Sequence, residues 1–235
     1  MTKVKFTRFW LMLTMSLVTI MFNSCDKDDN LSRRSPTSDK GVVINGVKWA
    51  TRNVDKPGTF AAKPEDTGMF YQWNRKIGWS ATNPTVNSNG GTIWEFSDMP
   101  TGTIWEKKND PSPVGWRVPS HEEIQSLLDL EKVSIEQITV NNVKGVKFTD
   151  RISGNSIFLP AAGMIREAGI FQETWGGSYW SSTLYTGQNA RTLKLGLGGA
   201  YDDEGCGGSG NKGSWHPSYC TGYQYRGSSI RSVSE

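Results

Sequence analysis

Apolar and polar residues alternate in several short segments of the chain, a period that places successive side chains on opposite faces of a strand. Segments 42–44 and 47–50 flank Asn45-Gly46, a pair that favours a tight hairpin because both central positions need positive φ. Since the last such segment closes the chain, we expect the two ends of the domain to pair in one sheet. The other segments predicted as strands are 143–148, 156–159, 191–197 and 229–233.

One segment has the period of an amphipathic helix. Ser120 and Glu123 form a capping-box pattern, in which each side chain bonds the backbone N–H of the other residue. Three apolar residues recur at helical spacing after this cap: Ile124, Leu127 and Leu128. We therefore predict a helix over 121–130 with one buried stripe. A second, weaker helix is predicted in 59–62 and 68–74.

The first 25 residues combine a basic start, an apolar stretch over 9–22 and a small residue before Cys25. The apolar stretch is shorter than the roughly 20 residues that a membrane-spanning helix needs. This arrangement resembles a bacterial lipoprotein signal peptide, which implies that Cys25 is acylated and becomes the first mature residue. The acidic run after it is similar to the signal that sends Bacteroidetes lipoproteins to the outer face of the outer membrane. An ordinary N-terminal membrane helix or a plain secretory signal is the alternative.

The chain is accordingly expected to contain a signal peptide over 1–24, a flexible tether over 25–40 and one domain over 41–235. The tether has one large apolar residue, Leu31, and buries too little surface to offset the entropy of ordering. We expect membrane contact through the lipid anchor only. The formal charge of +3 includes the basic signal peptide, so the mature chain is close to neutral. Phosphate binding needs clustered Lys and Arg, and the lack of such a stripe argues against a nucleic-acid partner.

Five short motifs occur in order along the predicted domain. They are INGVKWATRNV at 44–54, GWRVPS at 115–120, LPAAG at 159–163, YWSST at 179–183 and SIRSV at 229–233. Together they resemble the Fibrobacter succinogenes major paralogous domain (FISUMP). That family is similar in turn to the C-type-lectin-like fold of the formylglycine-generating enzyme and of variable proteins diversified by retroelements. The resemblance implies an α+β domain with a twisted antiparallel sheet, one or two helices, adjacent termini and long ordered loops.

Several large side chains of these motifs are expected to serve the scaffold. Trp49, Trp116 and Trp180 are predicted core residues, because a buried indole contributes a large apolar area. Arg117 and Arg231 are expected to bond loop carbonyls or a carboxylate rather than a ligand.

A near-repeat, Gly-Thr-Ile-Trp-Glu, occurs at 91–95 and again at 102–106, in a segment rich in Asn, Ser, Gly and Pro. Its two tryptophans are expected to pack on the domain. A pair of sugar-stacking rings is the alternative.

The segment 198–227 lies between two of the family-like motifs, and loops of this length inside compact domains are usually functional or disordered. Aromatic residues and arginine among glycines are typical of adaptable binding surfaces. In the diversified lectin-like proteins that the family resembles, this stretch presents the ligand-contacting side chains. The alternative is that the aromatic residues fold down and pin the loop. The predicted ligand-binding residues are Tyr201, Asp202, Asp203, Trp215, His216, Tyr219, Tyr223, Tyr225 and Arg226.

Cys206 and Cys220 bracket the centre of that segment. With Cys25 assigned to lipid they are the remaining pair, and an exported chain meets an oxidising compartment. We therefore predict a disulfide, which stabilises a loop of this length by about 3 kcal/mol in the chain-entropy model. A metal site of Cys206, His216 and Cys220 is the alternative, although its fourth ligand is unassigned. The Glu-Pro-Asn and Trp-Asn-Asp calcium motifs of animal C-type lectins are not found in the sequence, and no cofactor is expected.

The leading hypothesis for function is a lipid-anchored cell-surface binding protein, such as an adhesin, that recognises a glycan or a protein through 198–227. A structural subunit of a fimbria or surface assembly is the first alternative. A degenerate or active enzyme of the lectin-like class is the second. Enzyme activity is not expected, because no nucleophile motif surrounds any serine that His121 or His216 would serve.

Overall fold

Strands predominate over helices in the described residues, and the computed structural model has a mainly-β fold of several small antiparallel sheets. It describes residues 35–235 apart from 96, 98, 99, 101, 167, 168, 170, 173–175 and 197–216. The α+β class expected from the family resemblance is wrong, because one short α-helix accompanies the strands in the described residues. Alternating polarity and turn-forming glycines and asparagines dominate the sequence, and neither supports long helices.

The helices with bounds in the described residues are the α-helix α1 (His121–Leu127) and a short 3-10 helix over Lys107–Asn109. The strands are β1 (Val42–Ile44), β2 (Val47–Trp49), β3 (Phe70–Tyr71), β4 (Gly78–Trp79), β5 (Trp116–Arg117), β6 (Val133–Val140), β7 (Val143–Asp150), β8 (Ser156–Pro160), β9 (Met164–Ile165), β10 (Phe171–Gln172), β11 (Gly176–Thr186), β12 (Asn189–Gly196), β13 (Pro217–Tyr223) and β14 (Val233–Ser234). The chain divides into two units, Met1–Ser32 and Arg33–Glu235, and every described residue belongs to the second. Within those residues, no helix has the length and apolar character needed to cross a membrane.

The first and last described strands meet in one four-stranded antiparallel sheet, ordered β1–β2–β14–β5. Asn45 and Gly46 form the predicted hairpin turn with φ values of 45° and 79°, the left-handed values that this turn requires. Val233 lies opposite Trp49 on one side and opposite Arg117 on the other. The predicted hairpin and the predicted pairing of the two ends are both confirmed.

Two three-stranded antiparallel sheets, β6–β7–β8 and β11–β12–β13, contain most of the longer strands. The strands predicted over 143–148 and 156–159 are confirmed within β7 and β8. The strand predicted from 191 is confirmed by β12 as far as Gly196, and residue 197 lies outside the described residues. The last predicted strand is shorter than expected, because Ser229 forms an isolated parallel bridge with Tyr179 and β14 begins only at Val233.

The prediction of a second helix in 59–62 and 68–74 is wrong. Gly68 has a left-handed φ of 69°, and β3 follows it. The backbone N–H groups of Met69, Tyr71 and Trp73 bond distant carbonyls instead of the residues four positions earlier. Those carbonyls belong to Val54, Ser228 and Gln224 respectively.

Helix α1 begins at its predicted cap and ends at Leu127, before the predicted end at 130. Ser120 Oγ accepts from the Glu123 N–H at 3.2 Å, and Glu123 Oε2 accepts from the Ser120 N–H at 2.7 Å. Arg117 donates to both carboxylate oxygens of Glu123 at 2.8 and 2.7 Å. Burial alone would raise the pKa of Glu123, but the hydrogen bonds from Arg117 and Ser120 lower it below its ordinary value. The helix and the carboxylate partner of Arg117 are thus confirmed.

The predicted core tryptophans are confirmed. Trp49, Trp116 and Trp180 are 1%, 8% and 0% exposed. The indole N–H of Trp180 donates to the carbonyl of Tyr71 at 2.6 Å, so the buried ring keeps a hydrogen-bond partner.

The tryptophans of the near-repeat are also buried. Trp94 and Trp105 are 8% and 6% exposed, and each packs edge-to-face against a second indole, Trp79 at 4.9 Å and Trp73 at 5.9 Å between centroids. The Trp105 indole N–H donates to the Asn109 carbonyl at 2.9 Å. Packing on the domain is therefore confirmed, and the sugar-stacking alternative is wrong because neither ring is open to a ligand.

Arg231 is 1% exposed and is bonded entirely to loop groups. Its Nε and Nη2 donate to Oδ1 of Asn53 at 3.0 and 2.8 Å, and its Nη1 donates to the Ala50 carbonyl at 3.3 Å. Burial lowers the pKa of Arg231 to about 10. The expected bonding of Arg231 to a loop carbonyl is confirmed, with an amide oxygen as its main acceptor.

A second buried guanidinium, that of Arg52, fixes the chain where it enters the domain. Its Nε forms an ion pair with Asp39 at 3.1 Å, and the two side chains are 1% and 2% exposed. Its Nη1 donates to the Ala61 carbonyl at 3.0 Å, while Nη2 donates to the carbonyls of Ser38 and Ser35. The segment before β1 is therefore held by these side-chain bonds, and by a bond from the Phe60 N–H to the Pro36 carbonyl, rather than by a strand.

Candidate ligand-binding surface

Part of the predicted ligand-binding set lies in the described part of the chain. Tyr223, Tyr225 and Arg226 are described in full, whereas only the backbone of Tyr219 is described, opposite Leu193. Five members of the set lie outside the described residues: Tyr201, Asp202, Asp203, Trp215 and His216. The candidate site is therefore built from Tyr223 and its neighbours.

The pairing of β12 with β13 decides which side chains share a face with Tyr223. Asn189 lies opposite Tyr223, and Arg191 lies opposite Thr221. Paired residues of antiparallel strands point to the same side, and side chains repeat every two residues, so these four side chains share one face. Farther along β12 that face is buried in the core. It reaches solvent near the turn between β11 and β12.

Tyr223 and Tyr225 form a stacked pair on this face. Their ring centroids are 5.2 Å apart and their planes differ by 10°. Cζ of Arg226 lies 5.0 Å from the centroid of the Tyr223 ring, within the range of a cation–π interaction. Since Tyr223 is 40% exposed, part of this stack is accessible to a ligand.

A second cation–aromatic contact joins β11 to β12. Cζ of Arg191 lies 3.9 Å from the centroid of the Tyr185 ring, which is 47% exposed. The charge of Arg191 also acts on His121, the first residue of α1. Burial and then this charge lower the pKa of His121. Tyr185 and Arg191 were not among the predicted site residues, since their contact depends on strand register and has no local sequence signal.

We call the five side chains of these two contacts the tyrosine–arginine surface. They are Tyr185, Arg191, Tyr223, Tyr225 and Arg226.

Buried groups hold the backbone of this surface to the core. The side-chain amide of Gln72 donates to the Tyr225 carbonyl at 3.1 Å. The backbone N–H of Trp73 donates to the Gln224 carbonyl, and the backbone N–H of Gln224 donates to the Gln188 carbonyl, both at 2.9 Å. The turn after β13 and the turn between β11 and β12 are thereby fixed to one another, which limits the entropy lost on binding a ligand.

Cys220 is 1% exposed within β13 and is disulfide-bonded. Its predicted partner, Cys206, lies outside the described residues, so that pairing stays a prediction. Metals bind the thiolate form of cysteine, and the oxidised state of Cys220 disfavours the alternative metal site with His216. In the part of the chain that the structure describes, no group of three or more His, Cys, Asp and Glu residues could hold a metal ion.

A cavity of about 460 Å³ is lined by residues from four loop segments: Thr37, Pro57, Gly58, Lys76, Ser112 and Val114. Lys76 is the one ionisable side chain in this lining. A lone exposed amine with two hydroxyls does not form an acid–base pair, so the cavity gives no support to a catalytic role.

Comparison of the chain with protein-family models, with curated proteins and with solved structures finds no significant match.

Proposed function

We propose that this chain is a lipid-anchored binding protein of the cell surface, which recognises a glycan or a protein ligand through the tyrosine–arginine surface. The observation that carries the proposal is the pair of exposed tyrosines, Tyr185 and Tyr223, each with a guanidinium over its ring. Tyrosine and arginine are the residue types that contribute most to binding energy at recognition surfaces. The segment 198–216, which the structure does not describe, leads directly into this surface through β13 and is expected to contribute further contacts.

The backbone of the tyrosine–arginine surface is held by hydrogen bonds, which supports a binding role for these exposed side chains. The hydrogen bonds of Gln72 and Gln224 fix the backbone at Tyr225 and at Gln224, which lies between the two tyrosines in the chain. A preorganised surface loses little conformational entropy when it binds, so a modest contact area can give useful affinity.

The membrane part of the proposal rests on the sequence around Cys25. Acylation of this cysteine and display on the outer face of the outer membrane are what the lipoprotein-like signal implies. Protease treatment of intact cells tests the orientation: cleavage of the domain is expected, and full protection until the cells are broken would contradict surface display.

The binding proposal is tested by screening the full chain, purified in detergent, on a glycan array and a protein array. Tyr185→Ala and Tyr223→Ala are expected to weaken the ligand signal strongly. Ile152→Ala is the matched control, because this side chain is 93% exposed on the turn between β7 and β8. Binding that survives both tyrosine substitutions would place the ligand site elsewhere.

A structural subunit of a surface assembly is the second candidate, and the edge strand β6 favours it. Val140 and Val143 close a two-residue hairpin turn between β6 and β7. In this register the backbone groups of residues 134, 136, 138 and 140 form hydrogen bonds with β7. The backbone N–H groups of residues 135, 137 and 139 point away from β7. No described residue bonds the outer edge of β6 over 135–139. An open edge of this length can accept a strand from a neighbouring subunit.

Gln137→Pro tests that candidate, since Gln137 lies at an outward position and its substitution leaves the β6–β7 hydrogen bonds intact. If β6 is an assembly edge, the variant is expected to fold but to lose co-purifying subunits or self-association. Unchanged association would argue against assembly through β6.

A further inference from the structure

We infer that the ligand of the tyrosine–arginine surface is an acidic glycan, whose carboxylate or sulfate groups bind the edge of the Arg191 guanidinium. This inference rests on the proposed binding function and adds the chemical class of the ligand. It is drawn from the placement of Arg191 and Arg226 relative to the tyrosine rings.

The Arg191 guanidinium is oriented but not neutralised by the described residues. At 3.9 Å from the Tyr185 centroid, one face of this planar group is covered by the phenol ring. It makes no hydrogen bond or ion pair with a residue that the structure describes. Burial and then the charge of Arg191 lower the pKa of the partly buried His121 beside it. A planar fork of N–H donors held on an aromatic ring matches the bidentate geometry of a carboxylate, a sulfate or a phosphate.

The tyrosine contacts reduce the ring area that is open to a neutral sugar. Sugars bind aromatic rings through their apolar faces, and this requires an open ring face. In Tyr185 one face carries Arg191, while Tyr223 has Arg226 near its ring and stacks on Tyr225. The Tyr185–Arg191 pair consequently offers the charged N–H groups of Arg191 beside a ring that already has one face covered.

The surroundings favour a saccharide over an acidic peptide. Thr186 and Gln188, in the turn beside Tyr185, are exposed, and Asn189 is partly exposed. These short polar side chains are suited to hydroxyl groups, whereas protein partners usually anchor large apolar side chains in pockets at the centre of an interface. The described cavity is lined by other residues and does not include this surface.

The test measures binding of the full chain, purified in detergent, to dextran sulfate, to polygalacturonate and to neutral dextran. We expect at least one of the two acidic polymers to bind and neutral dextran not to bind, and the comparison of the acidic polymers separates sulfate from carboxylate recognition. Arg191→Gln should weaken the binding about tenfold or more, since it removes charge-assisted hydrogen bonds. Arg191→Lys should give an intermediate loss, because it keeps the charge and loses the fork.

Arg151→Gln is the matched control, because Arg151 is an exposed arginine on the turn after β7 and its loss changes the net charge equally. Equal losses in Arg191→Gln and Arg151→Gln would overturn the inference, since they would indicate non-specific attraction to a polyanion. The arrays could instead identify a protein or a neutral glycan whose binding is lost in Tyr223→Ala but retained in Arg191→Gln. That result would also overturn the acidic-glycan inference, while it would support the binding function. Absence of any ligand on the arrays and of binding to the polymers would overturn both proposals.

Discussion

Asp150 accepts a hydrogen bond at 2.8 Å from the backbone N–H of Asn45, a residue 105 positions earlier in the chain. Its other carboxylate oxygen accepts from the backbone N–H groups of Ile152 and Ser153 at 3.0 and 2.8 Å. One partly buried carboxylate thus joins the turn of the β1–β2 hairpin to the turn between β7 and β8. Because backbone N–H groups stabilise the charged form, chiefly that of Ser153 and then that of Asn45, the pKa of Asp150 is lowered to about 2.

The lowered pKa of Asp150 predicts a loss of stability in acid. Its folded-state pKa lies below the ordinary value of 3.8, so its contribution is present above about pH 4 and is lost as the pH falls toward 2. Asp150→Asn should reduce the decrease in unfolding free energy over this interval, as measured by urea denaturation at several pH values. Glu131→Gln, on a neighbouring turn, changes the charge equally and should leave the acid-dependent decrease much closer to that of the original chain.

The bond between Asn53 and Arg231 is expected to be essential for stability. Asn53→Ala leaves a buried guanidinium without its main acceptor, which should lower the unfolding free energy by about 3 kcal/mol or more. Arg231→Met removes the buried charge and the N–H donors that need acceptors. It should therefore cost less in denaturant unfolding than Asn53→Ala, and the reverse order would show that Arg231 is bonded well enough without Asn53.

The capping box of α1 should contribute a measurable part of the stability. Ser120→Ala removes the acceptor of the Glu123 N–H, and loss of such a cap costs about 1 kcal/mol. Gln125→Ala in the same helix is the control and should change the unfolding free energy by less than about 0.5 kcal/mol, because surface substitutions usually do. Equal effects of the two substitutions would mean that the cap is not formed in solution.

Close packing of β7 against β8 should make Gly145 intolerant of a side chain. A Cβ at this position would lie 2.4 Å from the Leu159 carbonyl oxygen and 2.5 Å from the Phe158 ring, so the backbone of β8 would have to shift. Gly145→Ala should destabilise by about 1–3 kcal/mol. Gly196→Ala in β12, where a Cβ would meet nothing within 4 Å, is the control for adding a methyl group to a strand glycine and is expected to have little effect.

The predicted disulfide between Cys206 and Cys220 is tested by peptide mapping without reduction. A cross-linked peptide containing both residues is expected, and reduction should add the mass of two hydrogens. Cys206→Ser should leave Cys220 able to react with a thiol reagent once the protein is unfolded. A cross-link from Cys220 to Cys25, or Cys220 reactive without reduction, would contradict the predicted pairing.

The elements that could be predicted from sequence are those whose signals lie within a few residues. Asn45-Gly46 specifies its hairpin through two backbone angles, and the side chains of Ser120 and Glu123 cap α1 by bonds across three positions. The prediction of a second helix was wrong because the backbone N–H groups of Met69 and Tyr71 bond carbonyls that are remote in sequence. Local apolar spacing cannot reveal such partners.

The candidate site was predicted only in part for the same reason. Tyr223, Tyr225 and Arg226 stood out by composition within one segment. Tyr185 and Arg191 joined them through the pairing of β11, β12 and β13, and pairing between strands is specified by the whole sheet. The fold class inferred from the family resemblance was wrong because short motifs do not report how much helix connects them.

The ion pair of Arg52 and Asp39 has a mechanical consequence. If the chain is held through its N-terminal side, as the proposed anchor requires, a pull on a bound ligand is transmitted through the segment before β1. That force meets the Arg52 guanidinium, which bonds the Asp39 carboxylate and the carbonyls of Ser35 and Ser38, before it can peel β1 from β2. The buried arginine would then resist force where the tether enters the domain, and it would keep β1 paired with β2 while a bound ligand is pulled.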